Sequence, residues 1–274
     1  MTAHRPKVAV VGRGRVGRGL HGALVAAGVD AELVGGRRPG RAALGDVEVV
    51  ILAVPDGAIG EVAAALAPRT PEGAVFLHCA GSLGAEAFPP TLGRPAGAMH
   101  PLVSFAHPKK PPSLAGTTFA LAGPAAARRA GRALAEAVGA RPLERGVDGV
   151  HGPAYHAAAA LAANGAAALA TVAVEVLETL GARPKAARRA VGALLRTVAE
   201  NVERVGVPDA LTGPVMRGDA GTVRRHREAL AARSEAALGA YDAIAPAILR
   251  TARAVGLPEA SARAVRSALQ RKRK

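Results

Sequence analysis

The chain has 274 residues, of which 50% are hydrophobic and 21% are charged, and its formal net charge is +15. This length suits one large domain or two of ordinary size, and the apolar content excludes a disordered chain. The single cysteine, Cys79, excludes a disulfide framework and a four-cysteine zinc site, as is typical of a reducing compartment.

Short β-type runs alternate with helical patterns in the first half, which is typical of a parallel sheet covered by helices. Six runs predict strands, at 8–11, 31–34, 47–52, 74–77, 96–99 and 117–121. The helical patterns between them include 15–27, 58–67 and 125–138. We therefore predict an α/β domain with a doubly wound parallel sheet in residues 1–148.

The β signal disappears after about residue 148, and glycine and proline punctuation divides the rest into four or five predicted helices. The first runs roughly from Pro153 to Leu180, which at ~1.5 Å per residue would be about 40 Å. Its most lipid-like part, 154–176, is mostly alanine and less hydrophobic than a typical membrane span. We expect a buried helix, no membrane partner and an all-helical second domain in residues 149–274.

The positive charge is spread along the chain as 30 arginines and 6 lysines. A nucleic-acid binder usually concentrates such charge and adds aromatic rings for base stacking. Aromatic residues make up only 2% here, and we interpret the basic tail 270–274 as a solvated terminus. The sequence therefore argues against nucleic acid as a partner. The first residues lack the apolar stretch of a signal peptide, so we expect a cytoplasmic protein.

A glycine-rich turn directly follows the first predicted strand, with the sequence Gly12-Arg13-Gly14-Arg15-Val16-Gly17. A lone GxGxxG is weak evidence, but here a strand precedes it and a helix follows it. Gly12 permits a tight turn, Gly14 lets a pyrophosphate approach the backbone, and Gly17 lets the helix pack on the strand. We therefore predict a dinucleotide-binding domain of the Rossmann type.

The cofactor is predicted from the end of the second strand. An NAD-binding domain usually has Asp or Glu there for the ribose hydroxyls, whereas this chain has Arg37 and Arg38. Two guanidinium groups suit the 2′-phosphate of NADP. Arg13 and Arg15, inside the turn, either add to the same positive field or are simply solvated.

Two further turns are predicted to line the cleft, because ligands of open α/β sheets bind at the carboxyl ends of the strands. One contains Val54 and Pro55, and the other is the segment 78–82, which ends in Ser82.

Several segments together resemble Rossmann-like oxidoreductases with a C-terminal helical domain of unknown function, which are similar to ketopantoate reductases, pyrroline-5-carboxylate reductases and β-hydroxyacid dehydrogenases. Besides the glycine turn, the resemblance rests on Val54-Pro55-Asp56, 78–82, 99–105, 155–159, Asn164 and 211–219. It implies an NADP-linked reductase whose active site lies between the sheet domain and the long helix. The related dehydrogenases use a lysine on that helix, and family members often have one where Gly152 stands here.

Reduction of a carbonyl or an imine needs a proton donor beside the hydride acceptor. His156 is the leading candidate, with Asn164 about two helical turns further along, and Tyr155 is the alternative donor. His100 and Ser104 follow the fifth strand and either line the same pocket or belong to a tightly packed loop.

The segment before residue 222 offers a substrate-binding pair. Arg217 could hold a substrate carboxylate, and Asp219 could orient it or His226, while a helix cap and a surface ion pair are the alternative. The histidines are too scattered in sequence for a recognisable metal site.

The sequence thus predicts an NADP-dependent oxidoreductase acting on a small oxo acid, ketopantoate first, or on an imine. The alternative is a catalytically silent NADP-binding sensor or regulatory protein, suggested by the missing lysine. Because an alanine-rich helical domain offers flat apolar faces, we also expect a homodimer.

Overall fold

The computed structural model of the chain describes residues 6–36, 44–143 and 151–270. Within these ranges, a single sheet has the strand order β2-β1-β3-β4-β5-β6-β7. Its strands are β1 (Val8–Val11), β2 (Ala31–Val34), β3 (Val49–Leu52), β4 (Val75–His78), β5 (Ala96–Pro101), β6 (Thr118–Ala122) and β7 (Arg141–Pro142). The predicted Rossmann-type α/β fold is confirmed.

The central strands are apolar without interruption because helices cover both faces of the sheet. Every residue of β1 and β3 is buried. Val8 and Val10 pack with α1 (Arg15–Ala26) and α3 (Ala125–Ala137) on one face. Ala9 and Val11 pack with α2 (Ile59–Leu66) on the other. The two cores give a doubly wound layer structure.

The sheet differs from the prediction of a parallel sheet at β6, which pairs with β5 in antiparallel register, Met99 opposite Leu121. The described segment between these strands contains no helix, and a parallel pairing would need a longer crossover, usually helical. β7 then pairs in parallel with β6. This short strand was not predicted.

Packing divides the chain into two compact units, residues 1–163 and 164–274. The division falls inside one long helix, made of α4 (Pro153–Ala160), a π-helical turn at 161–165 and α5 (Ala166–Thr179). The predicted boundary at 148/149 lies outside the described residues.

The second unit continues with α6 (Pro184–Val205), α7 (Ala220–Ala231), α8 (Glu235–Ala254) and α9 (Glu259–Leu269). Its core cluster is small, with buried Val215, Val223, Ala245, Leu249, Ala262, Val265 and Ala268. Arg227 joins three of these helices, because it forms a two-pronged ion pair with Asp242 of α8 and donates to the Ala268 carbonyl of α9.

The expectation of a buried helix at 154–176 is wrong. None of the residues of α4 or α5 is buried. Within the described ranges, Pro153–Thr179 is also the one helix long and apolar enough to cross a membrane, by length and composition only. The side chains of α4 and α5 are instead exposed or half-buried.

Candidate functional site

The glycine turn forms a backbone cradle between β1 and α1. Gly12 has a φ of +124°, and a Cβ atom there would overlap the carbonyl oxygen of Ala53. A Cβ on Gly17 would overlap the carbonyl oxygen of Gly12, whereas one on Gly14 would have no neighbour within 4 Å. The turn thus brings α1 against β1 and leaves open space above Gly14.

A cavity of about 780 Å³ opens at this turn. Its walls are Gly12, Arg13, Gly14, Gly35, Gly36, Ala53, Val54, Pro55, Ala58, Glu61 and Val62. The first turn of α1 has no side-chain cap and no acidic residue, so its N–H groups can bind an anion. These features fit a dinucleotide pyrophosphate. Glu61 also lines the cavity and was not predicted to do so. The sequence around it does not indicate which face of its helix is turned toward the cavity.

Two of the remaining predicted cofactor residues, Arg15 and Ser82, contact other parts of the chain. Arg15 lies in the first turn of α1 and contacts the Ala106 carbonyl at 3.4 Å, and Val16 is half-buried beside it. Ser82 donates to the Asp56 carboxylate at 3.3 Å. Arg37 and Arg38 lie outside the described residues.

A second group of side chains forms a continuous chain of rings in the same compact unit. Neighbouring ring centroids are 5.6 to 6.2 Å apart in the order His78, His151, Tyr155, His100, His156. We call these five residues the ring cluster. His100, Tyr155 and His156 were predicted from the sequence as site residues, and the structure brings them together across more than fifty residues of chain.

His78 has a structural role within the ring cluster. It is fully buried at the end of β4, accepts from the Ala80 N–H through Nδ1 (3.2 Å) and contacts the Gly84 carbonyl through Nε2 (2.8 Å). The first partner is a donor and the second an acceptor, so the ring is neutral with its proton on Nε2. Burial lowers the pKa of His78, in agreement with a neutral ring. His78 therefore holds the turn that carries Gly81.

His100 and Tyr155 form a hydrogen-bonded pair, with 2.8 Å between the imidazole Nδ1 and the phenol oxygen. Burial lowers the pKa of His100 to about 4, and the neighbouring imidazole of His156 adds to this shift. Burial raises the pKa of Tyr155 to about 12. Both groups are therefore uncharged at neutral pH.

His151 was not predicted as a site residue. It stacks on Tyr155, and both of its ring nitrogens are buried without a hydrogen-bond partner among the described residues. No local sequence pattern marks it, because one of its two ring contacts is with His78, far away in the chain.

The backbone conformation of Gly152 explains why no lysine stands at this position. Gly152 has a φ of +99°, which disfavours any side chain there. It precedes Pro153 at the start of α4, and its carbonyl accepts from the His156 N–H. A lysine at this position would strain the helix start.

Four predicted residues are not brought into the ring cluster by contacts within the described ranges. Ser104 is exposed after β5, and Asn164 lies in the π-helical turn. Arg217 is exposed in the second unit. Asp219 caps α7, since its carboxylate accepts from the Thr222 N–H at 2.9 Å. The substrate roles of Arg217 and Asp219 stay predictions. Across the same ranges, no group of three metal-binding side chains is found.

The neutral state of His100 predicts a pH dependence of stability. Between pH 6.5 and about 4 the unfolded state binds a proton at this histidine and the folded state does not. The free energy of unfolding should therefore fall as the pH is lowered through this window, by at most about 1.4 kcal/mol per pH unit. Denaturant unfolding at several pH values gives the slope of the free energy of unfolding against pH. This slope should be smaller in His100→Gln than in the wild type. His107→Gln, at an exposed histidine, is the control and should keep the wild-type slope. Equal slopes in all three proteins would contradict the prediction.

Comparison with known proteins agrees with this architecture. Residues 117–248 match a family described as a domain of unknown function, DUF2520. The predicted resemblance to Rossmann-like proteins with a C-terminal helical domain of unknown function is confirmed. Among solved structures, protein TM1727 of Thermotoga maritima is 26% identical with a TM-score of 0.66, covering 90% of this chain and 99% of that chain.

Two further structures share the fold at lower identity. The Bacteroides fragilis protein BF3122, described as a candidate NADP oxidoreductase, is 18% identical with a TM-score of 0.69, covering 90% of this chain and 98% of that one. The imine reductase of Streptomyces aurantiacus is 19% identical with a TM-score of 0.57, covering 93% and 98%. A comparison with curated protein sequences finds no match.

Proposed function

We propose that this chain is a cytoplasmic NADP-dependent oxidoreductase that reduces a small oxo acid or an imine. One observation carries the proposal: the dinucleotide cradle and the ring cluster are built on adjacent strands of one sheet. The cradle follows β1 and β3, whereas His78 ends β4 and His100 lies near the end of β5. Ligands of such sheets bind at these strand ends.

The chemistry is divided between the cofactor and the protein. NADPH supplies a hydride when it is bound. The glycine turn and the first turn of α1 would hold its pyrophosphate, and Arg37 and Arg38 its 2′-phosphate. The ring cluster supplies the proton that balances the hydride. The imine reductase of similar fold supports an imine as substrate, and the resemblance to ketopantoate reductases supports an oxo acid.

The proposal is tested by parallel titration of the protein with NADPH and NADH, followed by a turnover screen with ketopantoate and pyrroline-5-carboxylate. We expect tighter binding of NADPH, and Arg37→Asp should weaken NADPH binding about tenfold or more while leaving NADH binding within twofold. The absence of binding of either nucleotide would overturn the proposal. Tight NADPH binding without turnover would favour the NADP-binding sensor.

We also propose that the protein is a homodimer. Exposed Leu194, Val198, Val202 and Val205 form an apolar stripe along α6 at helical spacing. The stripe borders an apolar groove of about 550 Å³ between α5, α6, α7 and α8, and Leu194 belongs to both. Within the described part of the chain, none of the residues that line this groove is charged. In a twofold interface the same surface of each copy pairs with its equivalent, so an apolar stripe and groove that share one surface can cover each other.

A membrane fits this surface less well. The helix Pro153–Thr179 is long enough for a span, but its first turn places Tyr155 and His156 in the ring cluster beside His100 of the sheet.

A further inference from the structure

Gly81 lies against two imidazole rings, those of His100 and His156. It is buried in the turn after β4, and a Cβ atom on it would overlap Nδ1 of His156 and lie 2.9 Å from Nε2 of His100. Both nitrogens thus lie within about 3 Å of one point. The two rings are nearly perpendicular, with centroids 5.8 Å apart. The two nitrogens are therefore no more than about 5 Å apart, so a single polar atom lying between them can contact both.

The hydrogen on His100 can be assigned from its partner. A phenol is a better hydrogen-bond donor than acceptor, and an unprotonated imidazole nitrogen is a good acceptor. Tyr155 therefore donates its hydroxyl hydrogen to Nδ1 of His100 across 2.8 Å. The neutral ring then carries its own hydrogen on Nε2, the nitrogen that faces Gly81. Tyr155 thus makes His100 a fixed N–H donor at this point.

His156 differs from His100 in its contact with solvent. Its side chain is exposed on the first turn of α4, whereas His100 is partly buried under Tyr155. The two histidines are therefore suited to different tasks on one ligand atom.

We propose that His100 and His156 form a two-nitrogen clamp for one polar substrate atom, the oxygen of a carbonyl or the nitrogen of an imine, with Gly81 and Tyr155 as positioning residues. The clamp rests on the proposed reductase function. It selects substrates with an unhindered C=O or C=N group, because the clamped atom has to fit between two rings.

The clamp accounts for both electrons and protons of the reduction. A hydride supplied by bound NADPH would form the new C–H bond, and the π electron pair of the C=O or C=N bond would move to the clamped atom. His100 Nε2–H stabilises the charge on that atom, and protonated His156 transfers its Nδ1 proton to it. The products are the alcohol or amine and NADP⁺, and neutral His156 takes up a proton from water.

The first test observes the clamp without any substrate. Nitrogen-15 NMR of the eight histidines, assigned with single-histidine variants, reports the tautomer of each ring. We expect His100 to carry its hydrogen on Nε2 in the wild type and to populate both tautomers in Tyr155→Phe. Gly81→Ala should shift the signals of both His100 and His156. Gly73→Ala is the matched control, since a Cβ there meets nothing within 4 Å.

The second test measures NADPH-dependent reduction of ketopantoate and pyrroline-5-carboxylate. Gly81→Ala and His156→Gln should each lower kcat about 100-fold, and Tyr155→Phe about tenfold, with the Kd for NADPH unchanged within twofold. Gly73→Ala should keep wild-type kcat. The unchanged nucleotide affinity separates a displaced clamp from a damaged fold.

The outcomes separate the clamp from the reductase function. An Nδ1–H tautomer on His100, or wild-type His100 and His156 signals in Gly81→Ala, would overturn the clamp whatever the activity. Wild-type kcat in Gly81→Ala would overturn it as well. If the protein reduces neither substrate, the NMR measurements still decide whether the clamp exists, while the proposed function loses its support.

Discussion

Gly17→Ala is expected to destabilise the sheet unit strongly. Gly17 is buried in the first turns of α1, and a Cβ there would overlap the carbonyl oxygen of Gly12 and lie 3.3 Å from the Cβ of Ala53. The overlapping atom belongs to the backbone of the glycine turn, so relief requires α1 to move away from β1. We expect a loss of more than about 3 kcal/mol and a Tm lower by about 10 °C or more.

Gly14→Ala is the matched comparison within the same motif. Gly14 has φ −74° and ψ −172°, which alanine adopts without strain, and its Cβ would have no neighbour within 4 Å. We expect a Tm within about 2 °C of the wild type but NADPH binding weakened about tenfold or more, since the added methyl group would occupy the approach of the pyrophosphate. Thermal unfolding and fluorescence titration measure the two effects separately.

A different result for either variant would be informative. A wild-type Tm for Gly17→Ala would show that α1 can shift without cost, against the packing described here. Wild-type NADPH affinity for Gly14→Ala, in a folded protein, would place the pyrophosphate elsewhere.

The predictability of the strands follows from their burial. β1 and β3 are continuous apolar runs because both faces of the sheet are covered, and a run of this kind marks a buried strand within a residue or two. The antiparallel direction of β6 could not be predicted in this way, because an apolar strand has the same composition in a parallel and in an antiparallel pair. The π-helical turn at 161–165 likewise has no local pattern that distinguishes it from the α-helix around it.

The two parts of the candidate site differ in the same way. The glycine turn is local, since its three glycines act on neighbouring backbone and their spacing is visible in the sequence. The ring cluster depends on contacts between residues far apart in the chain, such as His78 and His151. Gly81 contributes by lacking a side chain, so only the structure shows what it allows to approach.

Val198→Glu is expected to convert the proposed homodimer into a monomer. Val198 lies in the α6 stripe and is 45% exposed in the isolated chain, so a carboxylate there has little effect on the fold of one subunit. In a twofold interface the substitution enters twice, and each carboxylate must be buried against apolar side chains. At about 2 kcal/mol or more for each copy, the Kd of the dimer should rise about 1,000-fold.

Val255→Glu is the control for charge and hydrophobicity. Val255 is also an exposed valine of the second unit, at 55%, but it lies at the end of α8 and does not belong to the α6 stripe. Sedimentation over a range of protein concentrations should show a dimer for the wild type and for Val255→Glu, and a monomer for Val198→Glu. The thermal stability of the monomeric variant should also fall, since the apolar groove and the stripe return to water. A wild-type protein that sediments as a monomer, or a Val198→Glu variant that remains dimeric, would show that the α6 stripe does not pair two copies.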